Sequence, residues 1–164
     1  MGKVTDDHSG AAATYSERRV MPYRVQQVFD LVADVERYPD FLPMWEQASI
    51  VERQRNVYHT DQVVRLGLLR PRFRSKTVLR RPRRIEVTSS DGLFRHFSIA
   101  WHFASLSQDR GCEVDCDLSW QVHSPLLQSI LQFVLAEAGQ NIIGAFERRA
   151  HALYGEKAVA PQTQ

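Results

Sequence analysis

Hydrophobic and polar residues follow two rhythms along this chain, one helical and one strictly alternating. Tyr15 to Met21 reads as a first strand, which Pro22 ends. Arg24 to Asp34 reads as a helix, because Val25, Val28, Phe29 and Val32 recur at i, i+3, i+4 and i+7. A second short helical piece, Val35 to Tyr38, is expected to stop before Pro39. From Trp45 onward the period becomes two. Strands are predicted at Gln47–Arg53, Val57–Gly67, Arg72–Arg80, Arg84–Ser89, Leu93–Leu106 and Cys112–His123. Turn residues separate them at Arg55-Asn56, Gly67 to Pro71, Arg81-Pro82, Asp91-Gly92 and Asp109 to Gly111. Connections this short mean antiparallel hairpins, since parallel pairing needs a long crossover.

The last two strands have legible faces. Val114, Cys116, Leu118, Trp120 and Val122 alternate with polar residues, and Phe97, Ile99, Trp101 and Phe103 alternate with Ser98, Ala100 and His102. One face of the sheet is therefore wet and the other packs on something apolar. A long terminal helix supplies it. Ser124 is a good N-cap with Pro125 in the first turn, and no further proline interrupts the run to Tyr154, where Gly155 fits a C-cap. On a helical wheel Leu127, Leu131, Val134, Ala138, Ile142 and Ala145 share one face, and Leu126, Ile130 and Phe133 widen it. Glu137 falls inside this arc, where an unpaired carboxylate is costly to bury, so a rim position or a polar partner is expected for it. The order strand, two helical pieces, six strands and long helix describes an α+β layer structure. A sheet of this size curls, and only the long helix is large enough to fill its concave side. We expect an apolar cavity between them that holds a hydrophobic molecule, placed against Leu126 to Val134.

A length of 164 residues suits one domain, predicted over 14–155 with a flexible leader at 1–13 and a flexible tail at 156–164. The start has no apolar stretch of the secretory kind and no segment is long and apolar enough to span a bilayer, so a cytoplasmic protein is expected. Cys112 and Cys116 are the only cysteines, too few for a disulfide scaffold, and Cys116 reads as a small buried apolar residue. The six histidines show no metal-ligand spacing, so neither a metal nor a required cofactor is expected. Net charge is only +2, yet nine basic residues (Arg65, Arg70, Arg72, Arg74, Lys76, Arg80, Arg81, Arg83 and Arg84) occur between Arg65 and Arg84 without one Asp or Glu. Such asymmetry points to an anionic partner.

The sequence resembles the coenzyme Q-binding protein and oligoketide cyclase group of START-like domains. The resemblance is carried by the run from Val28 to Pro43, which contains Asp34-Val35-Glu36-Arg37-Tyr38-Pro39, and by Asp91 to Phe97. Trp101-His102-Phe103, Cys112 to Asp115, Ser124 to Leu127 and Ala145 to Ala150 extend it over about Thr14 to Gly155. It implies a helix-grip fold, with a curved seven-stranded antiparallel sheet around the long C-terminal helix and two short helices between the first and second strands. It also implies a ubiquinone, polyisoprenoid or other lipid ligand in a tunnel, with a carrier or chaperone role supporting respiration. A bacterial branch of the group comprises ribosome-association toxins, and the group's name carries polyketide aromatase or cyclase activity as a further alternative. The chain departs from the family pattern at Leu66 to Phe73 and at Met44-Trp45.

The tunnel candidates follow from both lines of reasoning. Tyr38, Phe41 and Trp45 occupy the helix-to-strand corner, where a mouth is expected. Phe94, Trp101, Phe103 and Trp120 come from the sheet, and Leu127, Ile130, Phe133 and Val134 from the helix. The plain alternative for the aromatics is core packing. Between Leu66 and Lys76, Leu68, Leu69 and Phe73 interleave with Arg70, Arg72 and Arg74. The plain reading is a basic edge that resists aggregation. The functional readings are a peripheral contact with the inner face of the cytoplasmic membrane or with phosphates of the large ribosomal subunit, and DNA is not expected. Arg95 and His102 could serve a cyclase as oxyanion donor and acid, but alternation turns His102 away from Trp101 and Phe103, so we expect a binding protein.

Overall fold

The computed structural model describes residues 3–5 and 12–155, and in its last helix the side chains of 136–140, Glu137 and Ala138 among them, lie outside the description. Its elements are β1 (Lys3–Thr5), β2 (Ala13–Met21), α1 (Val25–Ala33), a 3-10 turn (Val35–Arg37), α2 (Tyr38–Phe41), β3 (Trp45–Gln54), β4 (Val57–Val64), β5 (Arg72–Arg80), β6 (Arg84–Ser89), β7 (Phe94–Ser105), a second 3-10 turn (Ser107–Asp109), β8 (Cys112–Val122) and α3 (Pro125–Tyr154). All strands join one antiparallel sheet in the order β1-β2-β8-β7-β6-β5-β4-β3. The seven expected strands are β2 to β8. Short β1 adds to the free edge of β2, with Lys3 opposite Ser16 and Thr5 opposite Thr14. Part of the predicted leader is therefore strand, because the edge of β2 offers unpaired N–H and C=O groups. The predicted tail, 156–164, lies outside the described residues.

Local chemistry explains the shape. Helix α1 buries Val25, Val28, Phe29, Leu31 and Val32, and its start is tied by the Arg24 backbone N–H donating to Gln27 Oε1 at 3.1 Å. The helical piece expected to end before Pro39 instead runs on, because Pro39 falls in the first turn of a new helix, α2, where its missing N–H costs nothing. The register of β3 on β4 shifts between Trp45 and Gln47 and again between Ile50 and Glu52, and that of β7 on β8 shifts between Phe94 and His96. The β7 shift puts Phe94 and Phe97, three apart, on the same buried face. Gly92 turns the β6–β7 hairpin at φ +63°, with a carbonyl of Arg72 where a Cβ would be, so only glycine fits there.

Two apolar clusters fill the concave side. One centres on Val28, Phe29, Trp101, Phe103, Ile143 and Phe146, and the other on Tyr15, Phe73, Phe94, Phe97, Trp120 and Leu131. The second half of α3 is well seated, with Ile143, Ala145, Phe146 and Ala150 buried. Among the described side chains of its first half only Leu131 is fully buried, whereas Leu126, Ile130 and Phe133 are exposed. At about 100° per residue these three lie roughly 120° round the helix from the Leu131 side. One sheet covers one stripe of a helix, so the broad arc of the wheel divides into a buried face and an exposed flank.

Candidate functional site

Between sheet and α3 lies a cavity of about 110 Å³. Its walls are mostly apolar: Leu42, Val64, Ile85, Val87, Ile99 and Leu118 from the corner and the sheet, and Leu135, Ile142, Ile143 and Phe146 from α3. Phe146 organises one end, standing edge-on to Tyr38, Phe41 and Trp101 with ring centroids 5.5, 5.3 and 5.5 Å away. Two tyrosines bordering the space spend their hydroxyls on α1: Tyr38 donates to the carbonyl of Val32 at 2.6 Å, and Tyr58 to that of Ala33 at 2.8 Å. Burial raises both phenols, Tyr58 to about 12, and it also raises the Cys116 thiol, so all three stay neutral.

Polar groups enter from two sides. On β4, Gln62 accepts from Trp45 Nε1 at 2.8 Å and donates to Ser75 Oγ at 2.8 Å. On β2, Tyr15 donates to the buried carboxylate of Glu17, which also takes Arg19 Nε at 2.6 Å, and Arg19 reaches Glu147 of α3 at 3.5 Å. Burial and then the Glu17 hydrogen bond raise the Tyr15 phenol. These bonds tie β2 to α3. Sequence reading missed them, although Tyr15, Glu17, Arg19 and Met21 already alternate toward one side of β2.

The predicted tunnel residues divide sharply. Tyr38, Trp45, Phe94 and Trp101 border the cavity. Phe41 stands behind Phe146, with Arg149 5.4 Å over its ring. Phe103 packs on Phe29 at 5.4 Å, and Trp120 is sealed in the second cluster. Val134 packs at the margin of that cluster, and Leu127 faces an outer groove with Leu69, Arg70, Pro71, Arg72 and Leu93. Ile130 and Phe133 point to solvent, and the cavity is bordered by no residue from Leu126 to Val134. Leu42, Thr77, Ile142 and Phe146 were overlooked. Ile142 and Phe146 stand one turn apart on α3, a spacing that could have found them.

The hairpin between β4 and β5 also divides. Leu68 and Leu69 are exposed, whereas Phe73 is buried against Phe94 and Phe97 at 5.2 and 5.7 Å, and so cannot make a surface contact. The basic window is less bare than in sequence. Arg65 and Arg70 share Glu46, Arg72 and Arg74 share Asp61, Arg81 meets Asp30 and Arg84 meets Glu86. Among the described residues Lys76, Arg80 and Arg83 have no carboxylate partner. His102 stands on the outer face beside Arg18, Asp115 and Asp117.

The hydrogen bond and charge of Arg74 lower the Asp61 carboxyl, and those of Arg70 and Arg65 lower Glu46. A carboxyl lowered by folding adds stability above its unfolded value of about 4 and loses it as pH falls through the folded value. The thermal midpoint should therefore decline below about pH 4, with a shallower decline in Asp61→Asn. Equal slopes in melts from pH 5 to 2.5 would refute this.

Over residues 21–147 the chain matches the sequence profile described as polyketide cyclase / dehydrase and lipid transport. It belongs to that family. A ribosome association toxin, RatA of Pseudomonas aeruginosa, is 32% identical over 83% of this chain and 94% of its own length. Coenzyme Q-binding protein COQ10 homolog B of Xenopus laevis is 26% identical over 88% of this chain, a match that spans 61% of that relative. Among solved structures, a START superfamily protein from Mycobacterium smegmatis superposes with a TM-score of 0.75, at 16% identity, over 85% of this chain and 98% of its own. Both the START-like, helix-grip fold and the group resemblance expected from the sequence are borne out. In this family member the interior holds the apolar cavity between sheet and α3. Its volume is well under the roughly 300–1,000 Å³ of ligand sites, so a bound molecule requires the walls to part.

Proposed function

We propose that this protein is a carrier for a hydrophobic molecule of the ubiquinone, polyisoprenoid or lipid type, held between the sheet and α3. The observation that carries this reading is the apolar cavity at the grip of the fold, bordered by Tyr38, Trp45, Phe94 and Trp101. An apolar interior attracts such a molecule by removing its surface from water, at about 25 cal/mol per Å². The first half of α3 is the wall best able to yield, because among the described side chains fewer are buried there than in the second half. A coenzyme Q-binding relative supports the quinone type. Exchange with the cytoplasmic face of a membrane would take place beside this wall. The ionisable groups bordering the cavity, Tyr15, Tyr38, Tyr58 and Cys116, are all held neutral by burial, which favours binding over acid–base turnover of a polyketide.

Solvent extraction of the purified protein followed by mass spectrometry should release an isoprenoid quinone or another lipid in stoichiometric amount. Repeated absence of any such molecule, with no quinone binding in titration, would exclude the reading.

A second reading is supported by the 32% identity to a ribosome association toxin and by the cations Lys76, Arg80 and Arg83, which have no carboxylate partner among the described residues. If the protein binds ribosomal subunits, co-sedimentation should weaken steeply with salt, and Lys76→Glu with Arg83→Glu should weaken it further. Salt-insensitive or absent co-migration would count against it.

A further inference from the structure

The inner faces of β4 and β5 are unusual for an apolar grip. Tyr58, Thr60, Gln62 and Val64 alternate inward from β4, and Phe73, Ser75, Thr77 and Leu79 from β5. Four of these eight positions are uncharged polar side chains, and all four are buried: Thr60, Gln62, Ser75 and Thr77. They adjoin one another, since Thr60 lies opposite Ser75, and Tyr58 opposite Thr77, in the strand register. A sheet face packed under a helix needs no such band, and a buried hydroxyl without a partner is destabilising by about 1–3 kcal/mol.

The band is also incompletely satisfied. The Gln62 amide has two N–H donors and two acceptor positions. One N–H goes to Ser75 and one acceptor position to Trp45, which leaves one of each on a side chain bordering the cavity. Thr60 Oγ1 is fully buried just outside the cavity lining and, among the described residues, has no hydrogen-bond partner. Thr77 borders the same cavity. Among the described residues no Lys, Arg or His borders it, and the ionic chain behind Tyr15, made of Glu17, Arg19 and Glu147, holds two carboxylates to one guanidinium.

We propose that the band Thr60, Gln62, Ser75 and Thr77 is a head-group site, selective for an uncharged head with carbonyl or ether oxygens over a carboxylate or phosphate. This rests on the carrier reading above and narrows it. The spare N–H of Gln62 donates to the oxygens of the head, and the Thr60 hydroxyl joins it once the walls part, while the tail lies along the apolar wall toward α3. A carboxylate or phosphate placed there would lose its hydration with no cation to replace it. An oxygen-free hydrocarbon would leave the donors unmet.

Three probes sharing one ring and one chain separate these chemistries: 2-decyl-1,4-benzoquinone, decylbenzene and 4-decylbenzoate. Calorimetric titration of the full chain should rank the quinone tightest, with the benzoate at least tenfold weaker. Gln62→Leu should weaken the quinone by roughly tenfold, the equivalent of about 1.4 kcal/mol, and leave decylbenzene unchanged. Thr60→Val, which keeps the shape and deletes only the hydroxyl, should weaken the quinone several-fold while raising the thermal midpoint. It serves as the independent arm should Gln62→Leu not fold. Equal losses for quinone and decylbenzene, or benzoate binding as tightly as quinone, would overturn the head-group site and leave the carrier reading standing. Binding of none of the three would overturn the carrier reading, and this inference with it.

Discussion

Phe146→Ala should lower the unfolding free energy by about 3–5 kcal/mol, whereas Phe133→Ala, thirteen residues earlier on the same helix, should change it by less than about 0.5 kcal/mol. Phe146 is 3% exposed and meets Tyr38, Phe41 and Trp101 edge to face, while Phe133 is 74% exposed. Removing the buried ring deletes its transfer free energy and opens a space that the rigid β7 wall cannot close. It also deletes three aromatic contacts at once. In a chain of this length the loss corresponds to a fall in thermal midpoint of roughly 10 °C. The same change should enlarge the cavity and so improve uptake of a short apolar probe relative to the parent. Denaturant titration of both variants decides it. Similar midpoints would mean that α3 is not seated as described.

A second large effect is expected at a lipid surface. Leu68→Glu combined with Phe133→Glu should reduce binding to vesicles containing phosphatidylserine by about 30-fold, while leaving the unfolding midpoint unchanged. Leu68 and Leu69 at the hairpin tip and Leu126, Ile130 and Phe133 on α3 are all exposed, and Leu69 shares a groove with Leu127, the chain neighbour of Leu126. Arg70 and Arg72 line that groove, with Glu46 and Asp61 offsetting part of their charge. Full burial of a large apolar side chain contributes about 1.5–3 kcal/mol, so half-insertion of two contributes about 2 kcal/mol. That is the 30-fold, and added salt should weaken only the smaller electrostatic share. Flotation assays test it. Equal flotation of parent and variant, or failure of the parent to float on anionic vesicles, would remove the membrane from the exchange route.

Both predictions concern α3, where sequence and structure part most clearly. The helix itself was legible from Ser124-Pro125 at its start and the unbroken run to Gly155, and the Leu127, Leu131 and Ala145 face was placed correctly. The second apolar group, Leu126, Ile130 and Phe133, was assigned inward because a wheel records hydrophobicity without recording what covers it. The strands were legible because alternation is a local signal, enforced wherever one face is wet and the other dry. Phe94 was harder, since it breaks the alternation of β7 and faces inward only because of the register shift beside it.

The basic window shows the same division. Its charges were plain in sequence, yet Glu46, Asp61 and Asp30 reach it only through strand pairing and helix packing. The buried band on β4 and β5 was readable as Thr60, Gln62, Ser75 and Thr77 on alternate positions, but nothing local said that Gln62 and Thr77 border a cavity. The sequence by itself determined the elements, their antiparallel order and the presence of a helix amphipathic enough to close the sheet, because each depends on residues a few positions apart. The tertiary structure alone decided which apolar residues enclose the space and which remain for a surface. It also set which charges neutralise one another and left a buried amide and hydroxyl with hydrogen bonds to give. These depend on contacts between residues far apart in the chain, which exist only once the sheet has curled and α3 has settled on one stripe of its surface.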